Sequence, residues 1–344
     1  MRSNMWQLDL SNKISGRTWW WWFWILFIHN KRQPSRPDQL MVLWSTRDVD
    51  SIKVNDMPIT IDRSAQTPSK FHGAVAAWNC MGGKMANDFI LEECDLEIRG
   101  KALSCSTKND YSFAETKNGF SANLAKTGLP HSFSMEYEPG LPLVESSYYP
   151  IGKYGFDIHA VERMKLSGKR AGKKISGTAY FQRVTVNAPA IPWYWGVNHF
   201  ENGSVLLYNS PHMGVDLMAS IQKKFHPLRH GILALPGHVS LFDPDSKSWS
   251  KYGNVKVAYS KNGMGLPVWE VYANRRGNRI RFTVDSYAHA YWKFQLPQTF
   301  GGLFYYNEYP VEVADFKLTG EKELSLSDLG YGYGNSEHSV GLLL

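Results

Sequence analysis

The chain has 344 residues, 43% of them hydrophobic and 14% aromatic, which is enough for about two domains with substantial cores. Three cysteines, Cys80, Cys94 and Cys105, stand at no metal-ligand spacing and cannot all pair, which argues against a disulfide framework and for a reducing, cytoplasmic compartment. The formal charge of +7 suits attraction to an anionic membrane surface, but the basic runs "KRAGKK" (169–174) and "NRRGNRIR" (274–281) read as solvated hairpin ends rather than a nucleic-acid patch.

The first predicted element is "WWWWFWILFI", Trp19–Ile28, with five tryptophans in six positions. Its ten apolar residues are too few for a membrane-spanning helix, which needs about 20. The polar stretch before it lacks the pattern of a secretory leader. Aromatic and β-branched residues favour extended chain. An unbroken apolar run of this length predicts a strand covered on both faces. Trp20, Trp22 and Trp24 share one face and Trp19, Trp21 and Phe23 the other. One set is expected inside a barrel and the other against packing, with one of them a candidate ligand wall.

Period-two alternation follows in "DLEIR" (95–99) and "HSFSMEYE" (131–138). The segment "WYWGVNHFENGSVLLYNS" (193–210) carries Asn202-Gly203 as a two-residue hairpin turn. That register places Trp193, Trp195, Val197 and His199 with Leu206 and Tyr208 on one face, and Tyr194, Asn198 and Phe200 with Val205 and Leu207 on the other. "GVDLMASIQKKFH" (214–226) is the best helix candidate, and its periodicity is ambiguous. "RIRFTVDSYAHAYWKFQ" (279–295) reads as one long strand with Ile280, Phe282, Val284, Ala288, Ala290, Trp292 and Phe294 on one side, a length that suits a barrel. The prediction is an all-β chain of two antiparallel barrels or sandwiches, 1–188 and 189–344, divided near "NAPAIP" (187–192). No phosphate loop, dinucleotide fingerprint, zinc-hydrolase motif or nucleophile elbow is present, so no metal or redox cofactor is expected.

The stretch 166–208, with Ser176, Gly177 and Tyr180 followed by Trp193, Tyr194, Trp195 and Glu201-Asn202-Gly203, resembles a signature of the carotenoid 1,2-hydratase family. The tryptophan run with His29 resembles that family's first strand. "FYYNEYPVEVADFKLTG" and "GYGYGNSEHSVG" are similar to its closing strands, with Glu308 and Glu337 at the acidic positions. The resemblance implies two lipocalin-like barrels and addition of water to a carbon–carbon double bond of an isoprenoid chain. The family's Asp-His and the Asp between its two tryptophans are replaced here by Gln182-Arg183 and Tyr194, so another carboxyl group must supply the proton.

Protonating a trisubstituted alkene needs a desolvated acid whose pKa is raised by apolar surroundings. The tertiary cation that forms needs aromatic faces, each worth about 2 kcal/mol when dry. Glu308 and Asp285, both in aromatic surroundings, are the preferred acids, and His199 is a candidate proton relay. Asp157, on a strand alternating with Arg163 and Lys165, reads as solvated. Trp193, Tyr194, Trp195, Asn198, Tyr180, Trp22 and Trp24 are the expected substrate-binding residues. The implied partner is a carotenoid or prenylated lipid met by peripheral contact with a membrane, with oligomeric state left open. A carrier or sensor of a hydrophobic ligand and a polyene cyclase are the competing readings.

Overall fold

The computed structural model describes residues 4–105, 111–126, 129–141, 145–151, 154–213, 233–297 and 302–344. The helix candidate at 214–226 lies outside the described residues. In chain order the strands are β1 (Trp19–Ile28), β2 (Asp38–Arg47), β3 (Ser51–Val54), β4 (Met57–Thr60), β5 (Lys70–Met81), β6 (Lys84–Arg99), β7 (Ala102–Cys105), β8 (Tyr111–Thr116), β9 (Gly119–Lys126), β10 (Leu129–Tyr137), β11 (Glu145–Ile151), β12 (Tyr154–Arg170) and β13 (Lys173–Asn187). They continue as β14 (Trp193–Phe200), β15 (Val205–Met213), β16 (Leu233–Ala234), β17 (His238–Asp243), β18 (Ser248–Lys261), β19 (Pro267–Arg275), β20 (Asn278–Ser286), β21 (Ala290–Gln295), β22 (Gly302–Thr319), β23 (Leu324–Ser325) and β24 (Gly332–Leu343).

Two antiparallel barrels result. The first runs β10-β9-β8-β7-β6-β5-β2-β1-β13-β12 and closes through β10–β12 pairing, with β11 beyond β12. The second runs β20-β19-β18-β17-β15-β14-β24-β22 and closes through β20–β22. The chain passes from one to the other between Asn187 and Trp193. The β3–β4 hairpin, although early in the chain, joins the second sheet, where Val54 pairs with Phe294 on β21.

The opening strand does what its pattern demands. Trp20, Trp22 and Trp24 fill the first barrel, with Trp22 stacked on Phe71 and Trp24 packed against Phe113, Phe120 and Phe181. Trp19, Phe23, Ile25 and Phe27 face outward into a separate core between the barrels. Arg183 is fully buried in the first barrel, lies over the Trp22 ring at 5.5 Å and donates to Thr185 Oγ1 and, at 2.9 Å, to the Gln7 carbonyl. It thereby ties the barrel to the N-terminal segment, whose Met5 and Leu8 are buried in the same core. Burial pushes the guanidinium down to about 10, with Asp157 and Asp9 opposing that shift.

Three sequence expectations change. Asp157 is buried, 5% exposed, rather than solvated, because a bulge between Val161 and Met164 reverses the in-out alternation before Arg163 and Lys165 are reached. The β14–β15 connection spans residues 201–204 and is closed by Gly203 N–H to Phe200 O at 3.1 Å and Phe200 N–H to Ser204 O at 3.0 Å. Val197 therefore opposes Leu207 and His199 opposes Val205, whereas Leu206 opposes Asn198; a register slip of one residue exchanges the faces. The long strand breaks after Ser286, where Tyr287 N–H turns to the Pro310 carbonyl at 3.0 Å. Ile280, Phe282 and Val284 consequently line the second barrel, while Ala290, Trp292 and Phe294 lie in the core between the barrels. Among the described residues no helix is long and apolar enough to cross a membrane.

Candidate active site

Where β22 and β24 pair, Glu308 stands directly opposite Glu337. Opposed residues on antiparallel strands share a face with Cβ atoms about 5 Å apart. Here that face is the seam: Phe304 and Tyr306, the preceding alternate residues on β22, belong to the inter-barrel core, as does Tyr333 on β24. Glu308 is 0% exposed and Glu337 3%. Tyr306 Oη donates to Glu337 Oε1 at 2.6 Å, Trp193 Nε1 donates to Glu337 Oε2 at 2.9 Å, and Asn335 Nδ2 donates to Glu308 Oε2.

Two carboxyl groups this close in an apolar seam resist double ionisation. Burial, reinforced by the charge of Glu337, pushes Glu308 well above the usual carboxyl range. Burial also raises Glu337, to about 7, against the pull of its hydrogen bonds from Tyr306, Trp193 and Glu308. The pair therefore holds one proton near neutral pH, and its titration belongs to the pair rather than to either residue.

Aromatic rings surround it. Trp193 contacts Phe304 at 5.3 Å and Tyr306 at 5.8 Å, and Trp292 stacks with Tyr306 at 6.2 Å. Trp195, directly opposite Glu337 in the β14–β24 ladder, packs on Tyr180 at 5.3 Å and on Phe23 at 6.3 Å, both from the first barrel. Tyr180 Oη donates to Gln182 Oε1 at 3.0 Å. Trp193 and Trp195 are only half-buried, so this aromatic wall runs from the buried carboxyl pair to the surface. An acid with electron-rich rings beside it is an arrangement suited to forming and sheltering a cation.

The seam thus joins Glu308, Trp193, Trp195, Tyr180 and, farther along it, His199, and the other candidates lie elsewhere. Asp285 accepts from Asn262 Nδ2 at 2.6 Å and pairs across strands with Glu312, which is bridged to Arg36; it belongs to that polar network and not to the glutamate pair. Trp22 and Trp24 are core of the first barrel. Tyr194 turns into the second barrel, where its ring packs against His212 at 4.8 Å and His338 at 4.4 Å. Asn198 is also inside that barrel, fully buried, with neither amide atom bonded to protein.

His199 shares the seam but is fully engaged: Thr178 Oγ1 lies 2.7 Å from Nδ1, and Nε2 donates to the Glu162 carbonyl at 2.8 Å. Burial and the Arg163 charge hold it well below its ordinary value, so it is a neutral tie between the barrels. Thr178→Val should cost about 1–3 kcal/mol in denaturant unfolding by stranding Nδ1. No change in the midpoint would contradict that role.

Tyr306 and Asn335 were not singled out from the sequence. The signal for Tyr306 is its two-residue spacing from Glu308, which puts both on one face; Asn335 stands in the same relation to Glu337.

No family profile and no curated protein matches the chain. Among solved structures, a Nitrosomonas europaea protein described as a candidate AttH (NE1406) superposes with a TM-score of 0.57 at 12% identity, covering 97% of this chain and 96% of that one. Kievitone hydratase from Nectria haematococca gives a TM-score of 0.45 at 11% identity, over 97% of this chain and 92% of that one. The first likeness agrees with the observed architecture. The chain is an all-β protein of two lipocalin-like antiparallel barrels, with a buried glutamate pair at their seam.

Proposed function

We propose that the protein is a hydratase that adds water to a carbon–carbon double bond of an isoprenoid chain, either a carotenoid or a prenylated membrane lipid. The observation that carries the proposal is the Glu308–Glu337 pair, which keeps a carboxyl protonated at neutral pH within an aromatic wall. Glu308 delivers its proton to one alkene carbon, leaving a tertiary cation on the other. Trp193, Trp195 and Tyr306 face that positive charge, and water then adds to it, releasing a proton that restores the pair. The half-buried edge of Trp193 and Trp195 is the side from which an oily chain enters, consistent with a basic protein working at an anionic membrane surface.

The test is incubation of the purified protein with unsaturated isoprenoid lipids in heavy-oxygen water, followed by mass spectrometry. A labelled tertiary alcohol is expected. A product of unchanged mass would replace hydration by polyene cyclisation, which the same acid and rings can support, and binding without any product would leave a carrier.

A further inference from the structure

The two glutamates are chemically alike, yet their surroundings are not. Glu337 accepts from two neutral donors, Tyr306 Oη at 2.6 Å and Trp193 Nε1 at 2.9 Å, one on each of its oxygens. Glu308 accepts from Asn335 Nδ2 and feels the Tyr306 hydroxyl only secondarily, and its own proton is shared in a hydrogen bond to Glu337. A phenol and an indole N–H pointed at a carboxylate stabilise its charged form, because a protonated carboxyl would give up one of its acceptor positions. The groups that act most strongly on the pair are the two carboxyls themselves, Tyr306, Trp193 and Asn335. The polarity of the pair must therefore come from these neutral donors.

We infer that Tyr306 and Trp193 are positioning residues that hold Glu337 as the ionised member and Glu308 as the proton-bearing member, giving the pair a fixed acid end and a fixed base end. Tyr306 has one hydroxyl proton and donates it to Glu337, so its loss is felt mainly there and only weakly at Glu308. In turnover, which rests on the hydratase reading, Glu308 gives its proton to the alkene, Glu337 accepts the proton released by the incoming water, and that proton passes back to Glu308 across the hydrogen bond between the two carboxyls. The location of the proton is a property of the resting protein and holds whatever the substrate is.

The experiment follows the carboxylic-acid carbonyl band by infrared difference spectroscopy of the full chain across pH. Glu308→Gln isolates Glu337, and Glu337→Gln isolates Glu308. The isolated Glu308 should keep its proton to higher pH than the isolated Glu337. Adding Tyr306→Phe to the Glu308→Gln protein should raise the midpoint of Glu337 by about one pH unit. The same change in the Glu337→Gln protein should move Glu308 by much less. Trp193→Phe serves as a second probe with the same expected selectivity. Equal movement of both carboxyls, or none at either, would overturn the assignment, since a merely structural role would not discriminate between them. Absence of hydratase activity would leave this spectroscopic result intact and refute only the functional reading.

Discussion

Glu308→Gln is expected to reduce hydration by about 10²–10⁴-fold, the range over which a positioned general acid contributes. The amide preserves shape and can still meet the Asn335 side chain, so the barrels should fold and the hydrophobic ligand should still bind. What is lost is the transferable proton. Because burial and the neighbouring Glu337 charge keep Glu308 protonated well above the usual carboxyl range, while Glu337 must be ionised to take the proton that water releases, wild-type turnover should peak between the two titrations of the pair, falling as pH drops below the lower one and as it rises through the upper. Steady-state rates with a labelled isoprenoid substrate check both points. A Glu308→Gln protein that retains its turnover would remove Glu308 as the acid, and a rate that rises steadily with pH would point to catalysis by an ionised carboxylate instead.

The seam was partly legible in the sequence. The opening strand announced its two buried faces because ten apolar residues leave no polar side, and the structure sends Trp20, Trp22 and Trp24 into one core and Trp19 and Phe23 into another. Glu308 was visible as a carboxyl among aromatics. Its partnership with Glu337 was not, since the pairing depends on the register of β22 against β24 across an intervening segment that includes a helical turn at Leu326–Leu329. Period-two reasoning is local and fails wherever a residue is inserted or the chain leaves its sheet. The bulge at Val161–Met164 hid the burial of Asp157. The break after Ser286 separated Phe282 from Trp292, which alternation alone had placed in one core. Gln182-Arg183, standing where the family resembled in sequence carries Asp-His, reads in the sequence as a missing acid. In the fold Arg183 instead ties the first barrel to the Gln7 carbonyl, a backbone partner that no side-chain pattern reveals.

The second large effect is on stability. Replacing both glutamates by glutamine should stabilise the protein progressively as pH rises, and the sign follows from linkage. An unfolded glutamate releases its proton near 4.5, the ordinary value from which both groups are displaced upward. Between that pH and the titration of the folded pair, the native state binds more protons than the unfolded chain, so stability falls with increasing pH by up to about 1.4 kcal/mol per unit for each such proton. For Glu337 alone, displaced to about 7, the accumulated loss is about 3 kcal/mol. His199 acts in the opposite sense: its folded value is depressed, so it favours the unfolded state as pH drops below 6.5. The wild-type profile therefore mixes rising and falling contributions, whereas the difference between wild type and the Glu308→Gln/Glu337→Gln protein cancels the histidine. That difference should grow from about pH 4.5 upward and level off only above the pair's titration. Any fixed cost of the amides, such as an ill-matched hydrogen bond to Tyr306, offsets the curve without changing its slope. Urea unfolding at a series of pH values supplies the measurement, and a difference that stays constant with pH would mean that the two carboxyls are not held protonated in the folded protein.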